Sequence, residues 1–95
     1  MIFEWFRLKA ETNLRDHGVS FEEAKTAFSD EMQVHYPDHA HSIGEQRFIC
    51  LGMSDHQRLL MIVYTEEAPD KIRIISAREA TRREEKIYAG QSEYS

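Results

Sequence analysis

Between Lys71 and Arg83 the chain gathers five basic residues, Lys71, Arg73, Arg78, Arg82 and Arg83, against one acid, Glu79. Arginine presents a planar fork of donors that meets phosphate oxygens two at a time. Guanidiniums placed close together repel unless an anion lies between them. Arg73 and Arg78 are therefore the expected clamp for a phosphate-bearing ligand, with Arg82 as a further contact. The plainer alternative is a solvated helix face whose charges pair along the helix. That alternative fits Arg83, four residues beyond Glu79, and Arg82, three residues before Glu85.

Other side chains can join such a site. Lys9 supplies one more cation. His17 can move a proton near neutral pH, although beside Gly18 it can equally stabilise the C-terminal end of a helix. Glu45 and Arg47 flank Gln46 and point to one side of an extended chain. A carboxylate held by its arginine can act as a general base, or the two can form an ordinary ion pair at a strand end. His35, Asp38, His39 and His41 are all acceptable zinc ligands. Their spacing is irregular, with no H-x-x-x-H pair and no cysteine among them, so no metal or other cofactor is expected.

Periodicity gives the elements that must position these groups. The stretch 2–5 alternates as a short first strand. Ala10, Leu14 and His17 recur at helical spacing over 7–17, and Gly18 ends that helix. Ser20 and Glu23 have capping-box spacing, with Phe21, Ala24 and Phe28 behind them, which sets a short second helix ending at Phe28 or Ser29. The stretches 32–36, 47–53, 58–65 and 71–76 read as strands divided by turn residues. Of these, 58–65 is the most apolar and is expected at the centre of the sheet. Ser76 and Glu79 repeat the capping-box spacing, so a last helix is expected to open there, with Arg78 in its first turn, and to run to about Tyr88.

The fold class is α+β, in the order β-α-α-β-β-β-β-α. An antiparallel meander carries two N-terminal helices on one face and a C-terminal helix, and its other face is partly open. Along 71–76, Ile72, Ile74 and Ser76 are expected on one face, with Arg73 and Ile75 on the open one.

Composition bounds what such a domain can be. Ninety-five residues, 41% hydrophobic and 31% charged, suit one globular domain. No apolar run approaches the ~18 residues of a membrane span, and the N-terminus lacks the pattern of a secretory signal. The single cysteine, Cys50, sits among Phe48, Ile49 and Leu51, as a buried inert thiol would in a reducing compartment. A cytoplasmic protein with no membrane partner is expected. The net charge of −5 is unevenly spread. Residues 1–70 hold six basic and thirteen acidic side chains, a balance of −7, and residues 71–95 hold six and four, a balance of +2. Such a chain is a poor general binder of nucleic acid but keeps one local site for phosphate.

Several runs resemble a known family, the BrnT toxins. Glu4-Trp5, Lys9, Asn13-Leu14 and His17-Gly18-Val19-Ser20-Phe21-Glu22-Glu23-Ala24 resemble the family's opening. His41-Ser42, Gly44-Glu45 and Arg47-Phe48 resemble its central loop and strand, and Arg58-Leu59-Leu60 with Thr65-Glu66 its core strand. Ile72-Arg73-Ile74-Ile75-Ser76-Ala77-Arg78, with Ala80-Thr81, Glu84 and Tyr88, is similar to its most recognisable signature. The resemblance spans residues 2–89 and makes 1–89 the toxin domain. Residues 90–95 fall outside it and are expected to form a flexible tail.

The resemblance implies a RelE-like fold and a bacterial ribonuclease that arrests translation, the toxin of a type II toxin–antitoxin system. It implies a BrnA-like antitoxin with a ribbon-helix-helix DNA-binding region, so that operator DNA is met only through the antitoxin. Cleavage would use the 2′-hydroxyl of the RNA and no metal. Arg73 and Arg78 would clamp the phosphate, Lys9 would add charge, and His17, His41 or Glu45 would act as base or acid. Arg47, Arg82 and His41 would contact RNA. The chain departs from the family at Phe6, where Asp is usual, at Gln57, where Gly is usual, and at Tyr64, where His is common. These departures keep open a weakened toxin that acts as a binding module and co-repressor with its antitoxin. A metal-dependent hydrolase built on the histidine-rich loop is the other alternative.

Overall fold

A computed structural model describes residues 1–90; of the segment 90–95 only Gly90 is among them. The elements are β1 (Ile2–Glu4), α1 (Arg7–His17), α2 (Phe21–Ala27), β2 (Val34–Pro37), a turn of 3-10 helix at His39–His41, β3 (Phe48–Met53), β4 (Leu59–Ala68), β5 (Lys71–Glu79) and α3 (Arg82–Gly90). The five strands form one sheet in the order β1-β5-β4-β3-β2, with the apolar β4 at its centre. β2 to β5 pair antiparallel, and β1 adds to β5 in parallel. Among the described residues no helix is long and apolar enough to cross a membrane.

One face of the sheet carries the core. Cys50, Leu60, Ile62, Tyr64, Ile72, Ile74 and Ala77 pack against Val19, Phe21, Ala24 and Ala27 of α2 and the turn before it. Each large side chain buried in this way contributes roughly 1.5–3 kcal/mol. The two layers come into close contact at Gly52, where a Cβ would stand 2.5 Å from the Ala27 carbonyl oxygen. Burial pushes the Cys50 thiol up to about 12, so it is inert at neutral pH.

Helix α1 packs Ala10 against the core, as its apolar spacing suggests, but turns Leu14 outward. Leu14 is 52% exposed, and the buried residue is Asn13. The physical reason is the position of α1 along the edge of β5, beyond the point where β1 stops. There the Asn13 amide donates to the Ala77 carbonyl (2.8 Å) and accepts from the Ala77 N–H (3.0 Å), as a neighbouring strand would. It also donates to the Val19 carbonyl (2.9 Å), tying α1 to the turn before α2.

The last helix also differs. Ser76 to Glu79 do not open it; they continue β5 and pair with Val63 to Leu60 of β4. Helix α3 starts one turn later, on a reciprocal cap between Thr81 and Glu84: the Thr81 N–H donates to the Glu84 carboxylate (2.8 Å) and the Glu84 N–H to the Thr81 hydroxyl (3.3 Å). Arg78 is therefore a strand residue. The expected pairing of Glu79 with Arg83 is replaced by Arg58, 3.5 Å from the Glu79 carboxylate.

β5 contains a bulge that changes which side chains share a face. Thr65 pairs with Arg73, Tyr64 with Ile74 and Val63 with Ser76, which leaves Ile75 as the extra residue. Ser76 thus turns to the side of Arg73 rather than that of Ile74, and Ala77 enters the core. Arg78, paired with Met61, also comes to the side of Arg73.

Glu23 ties the helices to the β3–β4 turn. Its side chain is 2% exposed and accepts from Arg58 Nε (2.9 Å) and the Ser54 hydroxyl (2.7 Å). Arg58 holds the Glu23 carboxyl below its ordinary value of 4.5. Burial alone would raise Asp30, but the Tyr88 hydroxyl and the Met53 and Met32 amides hold it below 3.8. Depressed carboxyl values stabilise the fold above the unfolded-state values, and this contribution is lost as acid protonates them. The urea midpoint should stay level near neutrality and fall as pH drops below about 4.5, the ordinary value for Glu23. A midpoint unchanged down to pH 3 would refute this linkage.

Candidate functional site

The sheet face opposite the core holds a cleft of about 400 Å³. Ile49, Met61, Val63 and Ile75 form its apolar floor, and Lys9, His41, Arg47, Arg78, Asp38 and Glu84 stand around them. β3, β4 and β5 supply the floor by alternation, and the bulge at Ile75 brings Arg78 to the cleft. Lys9 arrives from α1 at the edge of β5.

The loop between β2 and β3 is held shut by Ser42. Its hydroxyl donates to the Asp38 carbonyl (2.6 Å) and accepts the Arg47 N–H (2.9 Å), while the Asp38 N–H donates to the Arg47 carbonyl (2.9 Å). This closure brings Asp38, His41 and Arg47 side by side. His41 Nδ1 lies 3.1 Å from the Asp38 carboxylate, and the two side chains are 70% and 10% exposed. A carboxylate only accepts, so Nδ1 is the donor. Neutral His41 then presents the lone pair of Nε2, the arrangement of a base oriented by an acid.

Arg78 makes a two-pronged pair with Glu84, at 2.8 and 3.0 Å, and donates to the Glu79 carbonyl at 3.1 Å. The Glu84 hydrogen bond is the main reason the Arg78 guanidinium is held above its ordinary value; burial opposes it. Arg78 and the start of α3 are consequently one unit, since Glu84 both caps the helix and grips the arginine.

Arg73 shares this face but does not line the cleft. Its Nε lies 2.8 Å from Glu67 and its Nη2 2.7 Å from Glu45, with the side chain only 14% exposed. The hydrogen bond to Glu67 is the chief cause of its raised pKa. The second oxygen of Glu45 accepts from Arg47 at 3.3 Å. Arg47, Glu45, Arg73 and Glu67 therefore form a chain of alternating charge that runs from the cleft outward. The Phe6 ring covers the guanidinium of Arg73, 4.9 Å from its central carbon.

Of the residues singled out in the sequence, the structure brings Lys9, His41, Arg47 and Arg78 together. Arg73 and Glu45 adjoin them through Arg47. His17 ends α1, eight residues and about 12 Å along the helix from Lys9, and does not line the cleft. Arg82 is exposed at the first position of α3 and does not line it either. The loop histidines do not converge: the two ring nitrogens of His35 contact the Tyr64 hydroxyl and Gln33, each at 2.7 Å, on the core side of the sheet. Among the described residues no group of three or more His, Cys, Asp or Glu is placed to hold a metal ion. Tyr64 points into the core, away from the cleft. Glu84 was missed as a site residue, although the Thr-x-x-Glu spacing of 81–84 is a readable cap; no local pattern announces Asp38 as the partner of His41.

A family model described as ribonuclease toxin, BrnT, of type II toxin-antitoxin system matches residues 5–84. The fold is similar to a crystal structure of the Brucella abortus ribonuclease toxin, BrnT, with a TM-score of 0.66 and 19% sequence identity. That similarity covers 86% of this chain and 100% of the other. No curated protein matches the chain.

Proposed function

Since the chain belongs to the BrnT family of ribonuclease toxins of type II toxin–antitoxin systems, we propose that it cleaves RNA at the cleft, inhibits translation in the cytoplasm and is neutralised by a cognate antitoxin. The observation that carries this reading is the His41–Asp38 pair beside Lys9, Arg47 and Arg78. An RNA phosphate lies among the three cations. His41 Nε2 takes the proton of the 2′-hydroxyl, and Asp38 stabilises the imidazolium that forms. The 2′-oxygen bonds to phosphorus, the bond to the 5′-oxygen breaks, and the departing oxygen takes a proton from solvent. Lys9, Arg47 and Arg78 stabilise the charge on the phosphorane, which is where preorganised cations act most strongly. Arg73 is a positioning residue: by holding one oxygen of Glu45 it fixes the carboxylate that holds Arg47. The partner is a BrnA-like antitoxin with a ribbon-helix-helix region, and operator DNA is reached through it, in keeping with the chain's charge of −5.

This chemistry needs no metal. The purified protein should cleave single-stranded RNA with unchanged rate in excess EDTA and leave a 2′,3′-cyclic phosphate and a 5′-hydroxyl. Loss of cleavage in EDTA, restored by zinc or manganese, would overturn the mechanism. Failure to cleave at all, with the antitoxin still bound, would leave the chain a binding module.

A further inference from the structure

Phe6 breaks two local rules at once. It is the N-cap of α1 and makes no side-chain capping bond, at a position where Ser, Thr, Asp or Asn would satisfy the first amides of the helix. Its side chain is also large and apolar, yet the residue is 61% exposed. Its ring is nevertheless oriented. One side rests against Arg73, which two carboxylates and the sheet hold in place. Residues that break local rules without a gain in packing concentrate at functional sites.

The electrostatics select what the outer side of the ring can receive. Arg73 is matched by Glu45 and Glu67, so this part of the surface offers no net positive charge to a phosphate. It suits a flat, neutral group. The cationic cleft begins two ion pairs away, because Glu45 bridges Arg73 to Arg47. Unpaired bases of single-stranded RNA stack on exposed aromatic rings and on arginine planes. We propose that Phe6, backed by Arg73, is a stacking platform for an unpaired nucleobase next to the phosphate held in the cleft. The inference rests on the reading of the cleft as an RNA site and adds to it the way a neighbouring nucleotide is gripped. Stacking of this kind tolerates any base, so it sets a preference for unpaired RNA rather than for a sequence.

The test is an anisotropy titration of a short labelled RNA, 2′-O-methylated throughout so that it cannot be cleaved. Phe6→Ala should weaken binding about tenfold to a hundredfold, the usual loss for one stacked base. Phe6→Leu should weaken it as much, since leucine is apolar but cannot stack, whereas Phe6→Trp should bind at least as well as the parent. A probe lacking one base, moved along the strand, should reach a position where the parent binds as weakly as Phe6→Ala and the variant loses nothing further. Phe6→Ala or Phe6→Leu binding like the parent would overturn the platform. Loss of antitoxin affinity alone in Phe6→Ala would do the same and assign the surface to the protein partner. If the parent itself fails to bind the probe, the RNA reading of the cleft falls and the platform with it. If Arg78→Ala weakens binding and Phe6→Ala does not, the cleft stands and only the platform fails.

Discussion

Arg78→Ala should slow RNA cleavage about a hundredfold to a thousandfold and abolish growth arrest, while the domain stays folded and still binds its antitoxin. Arg78 is the cation that β5 itself sets in the cleft, and its fork is already aligned by Glu84. A phosphate entering beside it meets a donor whose orientation costs little to fix. The fold should tolerate the change, because Glu84 keeps its bonds to Thr81 and the helix keeps its cap. Arg83→Ala, on the exposed surface of α3, should leave toxicity intact. Arg73→Ala should act less directly, by releasing the carboxylate that holds Arg47. The readouts are kcat/KM on a labelled RNA, growth at matched expression, and circular dichroism. An Arg78→Ala protein that cleaves RNA and arrests growth like the parent would mean that the phosphate binds elsewhere.

The largest loss of stability is expected at Asn13. Asn13→Leu keeps the size of the side chain but removes both hydrogen bonds to Ala77 and the one to Val19. Each buried backbone group left without a partner costs about 1–3 kcal/mol. A loss of about 3 kcal/mol or more should therefore appear in urea unfolding, a large share of the roughly 5–15 kcal/mol that holds a domain together. Leu14→Ala, at the neighbouring exposed position, should change stability by less than about 0.5 kcal/mol. An Asn13→Leu protein within 1 kcal/mol of the parent would show that solvent reaches the edge of β5 at Ala77.

The order of elements was legible because each carries a strong local signal. Ser20 caps α2 as its spacing suggests, with the Glu23 N–H donating to its hydroxyl at 3.0 Å, and Gly18 closes α1 in the left-handed conformation at φ 69°. The alternation of Phe48 and Cys50 against Ile49 and Leu51 holds along β3. What failed depended on contacts distant in sequence. Ser76 and Glu79 form a plausible cap, but Val63 to Leu60 offer them a strand to pair with, and the pairing wins. Asn13 reads as a polar surface residue because nothing near it in sequence reveals a strand edge 64 positions away. The site was half legible for the same reason. Arginines and a lysine announce phosphate by type, whereas the carboxylates that restrain Arg73 and Arg78 come from other elements: Glu45 from the loop, Glu67 from β4 and Glu84 from α3.

Arg73 and Arg78 are five residues apart, an odd interval, and in an unbroken strand an odd interval sends two side chains to opposite sides. They agree only because Ile75 occupies a place in the chain without occupying a place in the ladder. The two ends of β5 thus run in opposite phase, and the switch between them is a matter of count, not of chemistry. Deleting Ile75 would close the ladder without a bulge and leave Arg73 and Arg78 four places apart, still on one side. A β5 that instead paired Ile75 with Val63 in an unbroken ladder would turn Ala77 out to the cleft and drive Arg78 into the apolar core. For this site the number of paired places between its parts matters as much as the identity of the residues that fill them.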